Sequence, residues 1–216
     1  MLIIKEFEMG LIFDIGCHCG NWLAANYNSE DNFIGIDGNS TLCLKTAERF
    51  RDSSNVKIMN AVVTDHAGDF VTFYVGSTDW ASTISKKFMK DGRFANNIEW
   101  VARENIPTVS LDSLIAIWGI PDYVKIDVEG AELGVLRGLT KKIGMIAFEW
   151  NEEFKSETLE CVSHLDSLGY NSFYLLYGDE YVFKPDEWYD YQQINSMINE
   201  SLIADRHRDW GMIYAK

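Results

Sequence analysis

Short apolar segments alternate with segments of helical character along most of the chain. The first apolar segment, Leu11–Ile15, ends at Gly16, and residues 21–28 have the pattern of a helix. Such alternation is typical of strand–helix units, which build a mostly parallel sheet with helices on both faces. The later units are strands at 32–37, 56–61, 123–127 and 145–149 and helices at 40–51, 131–139 and 156–168. The pattern therefore predicts an α/β fold.

Two parts of the chain depart from this alternation. Residues 70–75 are rich in β-branched and aromatic residues with a period-two pattern, which predicts an additional strand in a hairpin. Residues 76–97 are too polar for a core, and connections of this length are usually functional or disordered. In the C-terminal part, the pattern predicts strands at 171–177, 181–183 and 212–215 and a helix at 192–203.

Length and charge narrow the class of protein. The 216 residues fit one large domain. Asp and Glu number 33 against 19 Lys and Arg, a net charge of −14 that repels phosphate, so we expect no nucleic-acid partner. No uncharged apolar run approaches the roughly 18–20 residues of a membrane span. Because acidic residues occupy the N-terminus where a signal peptide is basic, we expect a cytoplasmic protein.

A glycine turn follows the first predicted strand. Residues 14–20 read Asp-Ile-Gly-Cys-His-Cys-Gly, and Asp37 stands 21 positions after Gly16 at the end of the second strand. Glycine lets a backbone approach a ligand closely, and an acid at this spacing binds the ribose hydroxyls of an adenosine. The dinucleotide spacing G-x-G-x-x-G and the triphosphatase spacing G-x-x-x-x-G-K-[ST] are both absent. The form seen here, Asp-x-Gly-x-x-x-Gly, is that of methyltransferases that use S-adenosylmethionine.

Four segments together resemble FkbM-type methyltransferases. They are residues 14–20, 60–65 (Asn-Ala-Val-Val-Thr-Asp), 124–132 (Val-Lys-Ile-Asp-Val-Glu-Gly-Ala-Glu) and 136–139 (Leu-Arg-Gly-Leu). The resemblance spans about residues 10 to 150. It implies a Rossmann-like class I methyltransferase fold with a seven-stranded, mostly parallel sheet and helices on both faces. It also implies S-adenosylmethionine as cofactor and methyl transfer to an oxygen, commonly a hydroxyl of a sugar or a polyketide.

The resemblance assigns cofactor contacts residue by residue. Gly16 and Gly20 would shape the methionine end of the pocket, Asp14 would face the amino group, and Asp37 would take the ribose hydroxyls. Asn60 and Ala61, at the end of the third strand, would lie near the adenine. The full set of expected cofactor residues is Asp14, Gly16, Cys17, His18, Gly20, Asp37, Asn60, Ala61 and Asp127.

Catalysis is expected beyond the carboxyl ends of the fourth and fifth strands, where ligands bind in such sheets. Asp127 and Glu129 follow the fourth strand, and Glu149 and Asn151 close the fifth. Lys125 points to the same side as Asp127 and is costly in an apolar strand unless it is paired. One interpretation is a structural ion-pair cluster of Lys125, Asp127 and Glu129. The other is a catalytic site in which Asp127 or Glu129 is the general base.

A metal-assisted version remains open beside the metal-free one. Asp127 and Glu149, with Asn151, offer oxygen ligands that would suit Mg²⁺ or Mn²⁺ bound to the acceptor hydroxyl. We favour the metal-free version.

Recognition of the acceptor is assigned to the irregular segments. A tryptophan flanked by small hydroxyl residues suits a sugar, because its ring stacks on apolar C–H faces. The expected acceptor contacts are Trp80, Ser82, Thr83 and Asn151. We therefore predict O-methylation of a sugar or glycan hydroxyl, for example on a deoxyhexose such as rhamnose or fucose. The alternatives are a polyketide or other small-molecule hydroxyl, or a non-catalytic module that binds S-adenosylmethionine.

The domain prediction is a single methyltransferase domain over residues 1–216. Within it, residues 66–110 (hairpin and loop) and 178–216 are expected to be elaborations on the acceptor side. The sequence contains no signal that indicates an oligomeric state.

Overall fold

A computed structural model describes residues 10–178, 187–200 and 210–216 of the chain. Its centre is a seven-stranded sheet in the order β3-β2-β1-β7-β8-β10-β9. These strands are β1 (Leu11–Ile15), β2 (Asn32–Asp37), β3 (Val56–Asn60), β7 (Tyr123–Ile126), β8 (Met145–Asn151), β9 (Phe173–Tyr177) and β10 (Trp210–Ala215). The neighbouring strands from β3 to β8 run parallel, whereas β10 is antiparallel to both β8 and β9. The predicted seven-stranded, mostly parallel sheet is confirmed.

Helices pack on both faces of this sheet. The helices in this part of the fold are α1 (Asn21–Asn26), α2 (Ser40–Arg49), α4 (Leu111–Trp118), α5 (Glu132–Arg137), α6 (Lys155–Ser167) and α7 (Tyr191–Glu200). One core joins alternate strand residues to α4, α5, α6 and α7, and a second core on the opposite face includes residues of α1 and the end of α2. Because side chains alternate along a strand, adjacent residues such as Ile12 and Phe13 enter opposite cores.

Residues 66–110, the segment predicted to lie on the acceptor side and called the acceptor-side segment below, form a second, three-stranded sheet together with the short strand that precedes them. Its order is β4-β6-β5, with β4 (Val62–Val63), β5 (Phe70–Gly76) and β6 (Trp100–Val109). β5 is the additional strand that the period-two pattern predicts, and it pairs antiparallel with β6. The segment between them contains a 3₁₀ turn at Asp79–Ala81 and the short helix α3 (Lys86–Asp91). β6 was not predicted from the sequence because six of its ten residues are exposed and its apolar and polar positions do not alternate regularly.

The C-terminal part of the chain corrects one prediction. Within 178–216, α7 buries Ile194 and Ile198 in the main core, and β10 lies between β8 and β9. These elements are therefore part of the central fold, since the sheet requires them, and Trp210 and Met212 of β10 also line the cavity described below. The strand predicted at 181–183 and the last residues of the helix predicted at 192–203 lie outside the described residues. None of the helices in the described ranges has the length and apolar character needed to cross a membrane.

Candidate active site

A cavity of about 390 Å³ opens at the carboxyl ends of the parallel strands. This is the edge of an open α/β sheet at which ligands bind. Ten of the expected site residues line it: Gly16, Cys17, His18, Asp37, Ala61, Trp80, Ser82, Lys125, Asp127 and Glu129. The other expected residues, Asp14, Gly20, Asn60, Thr83, Glu149 and Asn151, lie around it without forming its wall.

The glycine loop, residues 16–20, joins β1 to α1 and needs its glycines for packing. Gly16 has φ of 79°, and a Cβ there would lie 1.8 Å from the carbonyl oxygen of Asp127. Gly20 has φ of 73°, and its Cβ would meet Thr46 of α2 at 2.7 Å. Sequence analysis explained these glycines by access for a ligand. The structure supplies a different reason, which is close contact with β7 and α2.

Asp37 fixes the glycine loop from the end of β2. Its Oδ2 accepts the His18 N–H at 2.9 Å, and its Oδ1 accepts the Asn39 N–H at 2.7 Å. Burial raises the pKa of Asp37, while these two amides oppose the rise. Asn60 donates to the Asp37 carbonyl at 2.9 Å and so supports the turn from behind the cavity wall.

Lys125 forms a buried ion-pair group with Asp127 and Asp14. Its Nζ lies 3.1 Å from Asp127 Oδ2 and 3.5 Å from Asp14 Oδ1. Burial alone would lower the pKa of Lys125, but the two carboxylates outweigh it and raise the pKa above its ordinary value. Burial raises the pKa of Asp14 to about 6 despite the nearby ammonium group. Asp14 is fully buried and reaches the cavity only through Lys125, so it does not present its carboxylate there directly.

Three carboxylates meet beside this group. One oxygen from each of Asp127, Glu129 and Glu149 lies within 4.8 Å of the other two. We call these three residues the carboxylate cluster. Burial, and next the charge of Asp127, raise the pKa of both Glu129 and Glu149 well above the ordinary value. The predicted ion-pair grouping is thus partly wrong, because the second partner of Lys125 is Asp14 and Glu129 joins the other acids instead.

The loop after β7 is shaped by a fourth acid, Glu132. Its Oε1 accepts the N–H groups of Val128 at 3.0 Å and Gly130 at 3.2 Å. Glu129 has a left-handed φ of 55°, and the Thr83 hydroxyl donates to its carbonyl at 2.8 Å. Thr83 is buried and so holds the Glu129 loop, which corrects its expected role as an acceptor contact. Glu132 lies within the resembling segment 124–132, but its role is visible only in the structure.

Asn151 and Arg93 extend the carboxylate cluster towards the acceptor-side segment. Asn151 is buried and donates from Nδ2 to Glu149 Oε2 at 3.3 Å. Its Oδ1 accepts a hydrogen bond from Arg93 Nη2. Asn151 is therefore committed to protein partners, which corrects its expected contact with an acceptor. Arg93 was missed because it lies in a polar segment far from any motif.

Aromatic rings form much of the cavity wall. Trp80 lines it and packs edge-on against Phe94 at 4.8 Å between ring centres. Trp22 of α1 stacks on Tyr123 at 5.7 Å, and Trp210 lines the cavity from β10. The hydroxyl of Ser82, although at the wall, donates to the Asp79 carbonyl at 3.1 Å. Trp80 was predicted from the sequence, but Trp22 and Trp210 were not. They are far from Trp80 in the sequence, and only the fold brings all three to the same cavity.

The acceptor-side segment also contacts the glycine loop. His18 Nε2 lies 3.2 Å from Asp79 Oδ1, and both residues line the cavity. The glycine loop and the acceptor-side segment are thus in contact at the cavity wall.

The sheet order, the glycine loop after β1 and the acid that ends β2 define a Rossmann-like class I methyltransferase. The methyltransferase FkbM domain matches residues 16–172, and the chain belongs to the FkbM methyltransferase family. It is an S-adenosylmethionine-dependent methyltransferase, as the resemblance implies.

Solved structures with similar chain paths include three methyltransferase-related proteins. Precorrin-6y C5,15-methyltransferase from Geobacter metallireducens has 12% identity and a TM-score of 0.47, covering 95% of this chain and 79% of that one. Aeropyrum pernix fibrillarin, solved with natively bound S-adenosyl-L-methionine, has 12% identity and a TM-score of 0.47. The match covers 100% of this chain and 70% of fibrillarin. An O-methyltransferase from Thermotoga maritima has 11% identity and a TM-score of 0.47. The match covers 99% of this chain and 61% of that one. A comparison with the sequences of curated proteins found no match.

Proposed function

We propose that the protein transfers a methyl group from S-adenosylmethionine to a hydroxyl of a sugar or glycan. The observation that carries this proposal is the carboxylate cluster beside the cavity, because O-methylation requires a group that takes the hydroxyl proton. The cytoplasmic location and the lack of a nucleic-acid partner stay predictions from the sequence.

The cavity offers a fitting site for the cofactor. Asp37 stands at the wall where ribose hydroxyls would bind, and Leu42, Ala61 and Phe73 give an apolar surface for the adenine. The glycine loop would face the methionine part. When bound there, S-adenosylmethionine supplies the electrophilic methyl carbon that the acceptor oxygen takes in an in-line displacement.

Glu129 is our choice for the general base. It lines the cavity, and its raised pKa makes it a stronger proton acceptor than an ordinary glutamate. Asp127 serves this step less well, because it is paired with Lys125 at 3.1 Å. As the new C–O bond forms, the bond between the methyl carbon and the sulfur of the donor would break, and S-adenosylhomocysteine would be the leaving group. The hydroxyl proton passes to Glu129, and Glu149 shares that proton within the cluster.

The aromatic wall supports a saccharide acceptor. Trp22, Trp80 and Trp210 expose ring surface to the same cavity, and such rings stack on the C–H faces of sugars. The methyl group of a deoxyhexose adds apolar surface suited to these rings.

The test is an assay with methyl-labelled S-adenosylmethionine on a glycan array and on a panel of lipophilic alcohols. Label on glycans, strongest on terminal deoxyhexoses, is the expected result. Label confined to lipophilic acceptors would instead favour the polyketide or small-molecule hydroxyl. Saturable cofactor binding by calorimetry with no label on any acceptor would identify a non-catalytic module. An absence of binding to both S-adenosylmethionine and S-adenosylhomocysteine would overturn the whole proposal.

Chelation should leave the reaction unchanged. The ammonium group of Lys125 already neutralises charge next to the carboxylate cluster, so we propose that no divalent ion is needed there. Activity measured after dialysis against EDTA should equal that of untreated enzyme, and added Mg²⁺ or Mn²⁺ should not raise it. Loss of activity with EDTA and its recovery with Mg²⁺ would instead support an ion held by Asp127 and Glu149.

A further inference from the structure

Arg93 lies just after α3 in the acceptor-side segment and is anchored to Glu153, two residues beyond the end of β8. Its Nε and its backbone N–H both donate to Glu153 Oε1 at 2.9 Å, and its Nη2 lies 3.2 Å from Glu153 Oε2. About a quarter of each side chain is exposed, which places the ion pair at the boundary of the protein interior. Two hydrogen bonds from the guanidinium to one carboxylate leave it little freedom to turn.

The same guanidinium controls the amide of Asn151. Because Arg93 Nη2 donates to Asn151 Oδ1, the amide must turn its Nδ2 the other way, towards Glu149 Oε2 at 3.3 Å. Asn151 is only 5% exposed, so water has little access to replace either bond. The orientation of the Glu149 carboxylate is thus set from a residue that lies outside the cluster.

The neighbouring residue ties this arrangement to the cavity wall. The Arg93 guanidinium lies 5.8 Å from the centre of the Phe94 ring. Phe94 in turn packs against Trp80, which lines the cavity. The same short stretch of chain therefore supports both the aromatic wall and, through Asn151, the acids.

We propose that Arg93 is a positioning residue that acts through Asn151 to hold the Glu149 carboxylate against Glu129. This inference rests on the proposed O-methyl transfer, in which Glu149 shares the proton taken by Glu129. Arg93 does not line the cavity, so its effect should fall on the rate of the chemical step and leave the binding of both ligands alone.

The kinetic test compares Arg93→Ala with Lys90→Ala, a cation on the exposed surface of the same segment. We expect kcat of Arg93→Ala to fall by about 10- to 100-fold, the usual cost of a misplaced catalytic group. The KM for the acceptor and the calorimetric Kd for S-adenosylhomocysteine should stay near those of the wild type. Arg93→Lys, which keeps one donor for Asn151, should recover part of kcat, and Lys90→Ala should match the wild type.

A double-mutant cycle separates positioning from simple stability. Asn151→Ala should lower kcat like Arg93→Ala, and the double variant should lose little more, because both act through one link. Additive losses, or a fall in kcat that only follows the fall in Tm, would contradict the proposal. A crystal structure of Arg93→Ala should show Glu149 turned away while Asp127 and Glu129 stay in place. An unmoved Glu149 would also overturn it.

The two proposals fail in different ways. A wild-type enzyme that methylates hydroxyls while Arg93→Ala keeps its full kcat refutes the role of Arg93 alone. A wild-type enzyme that methylates no hydroxyl refutes the proposed function, and the proposal for Arg93 with it.

Discussion

Replacing Glu129 by glutamine should lower kcat by about 10²- to 10⁴-fold, the usual contribution of a general base. Glutamine keeps the size and hydrogen-bonding reach of the side chain but cannot take a proton. The backbone of Glu129 is held by Thr83, so the loop should keep its shape in the variant. Binding of S-adenosylhomocysteine should therefore be unchanged, which separates a chemical defect from a lost cofactor site.

The matched control is Asp91→Asn, which removes a carboxylate from the exposed surface of α3. It should have wild-type kcat, KM and Tm. Normal turnover by Glu129→Gln would rule Glu129 out as the general base. Asp127 or Glu149 would then be the base instead.

The pH profile gives a second measure of the same assignment. Burial raises the pKa of Glu129 most, Asp127 and Glu132 raise it further, and Arg93 and Lys125 oppose them. The carboxylate is consequently protonated at pH values where an ordinary glutamate is ionised. On its acidic side kcat/KM should rise by about tenfold per pH unit and level off only above the raised pKa. A profile that stays flat down to the pKa of a free glutamate would contradict the assignment.

The fold was predictable because its signals are local. Four of the five parallel strands, β1, β2, β7 and β8, are short and mostly apolar, and the turns between the strands are marked by glycine and polar residues. Predicted and observed bounds of these strands differ by only one or two residues. β6 carries no such signal, since its stability comes from pairing with β5 and not from a buried face of its own. β10 was predicted as a strand at 212–215, but its place in the sheet was not, because only the complete sheet shows that it lies between β8 and β9.

The site was predictable only where a motif carried it. Asp37, Lys125 and Asp127 were found because strand ends and a charge within an apolar strand are visible in the sequence. The contact between Arg93 and Asn151 joins residues 58 positions apart, and no periodicity or spacing reports it. Thr83 and Asn151 were identified as polar residues near the site, but the sequence did not indicate that their side chains bond to protein groups. Whether a side chain faces a cavity or the protein depends on tertiary contacts that a sequence pattern does not contain.

Replacing Gly16 by alanine should be the most damaging single change to the fold of the site. The left-handed φ of 79° costs a residue with a Cβ about 1–2 kcal/mol. The new Cβ would also lie 1.8 Å from the Asp127 carbonyl oxygen and 2.8 Å from its carbon, which are backbone atoms and cannot rotate away. We expect a loss of about 3 kcal/mol or more in the free energy of unfolding, which is the upper range for one substitution.

Gly134→Ala is the matched control for this change, because it adds the same methyl group within α5 where no atom lies within 4 Å. Alanine is the better helix former, so this variant should gain up to about 1 kcal/mol in urea unfolding. The Gly16 variant should also lose binding of S-adenosylhomocysteine, because relief of the contact must move either the glycine loop or the chain at Asp127, and both border the cavity. If Gly16→Ala unfolded like the wild type and bound the product normally, the close packing of β1 against β7 would not be what positions the site.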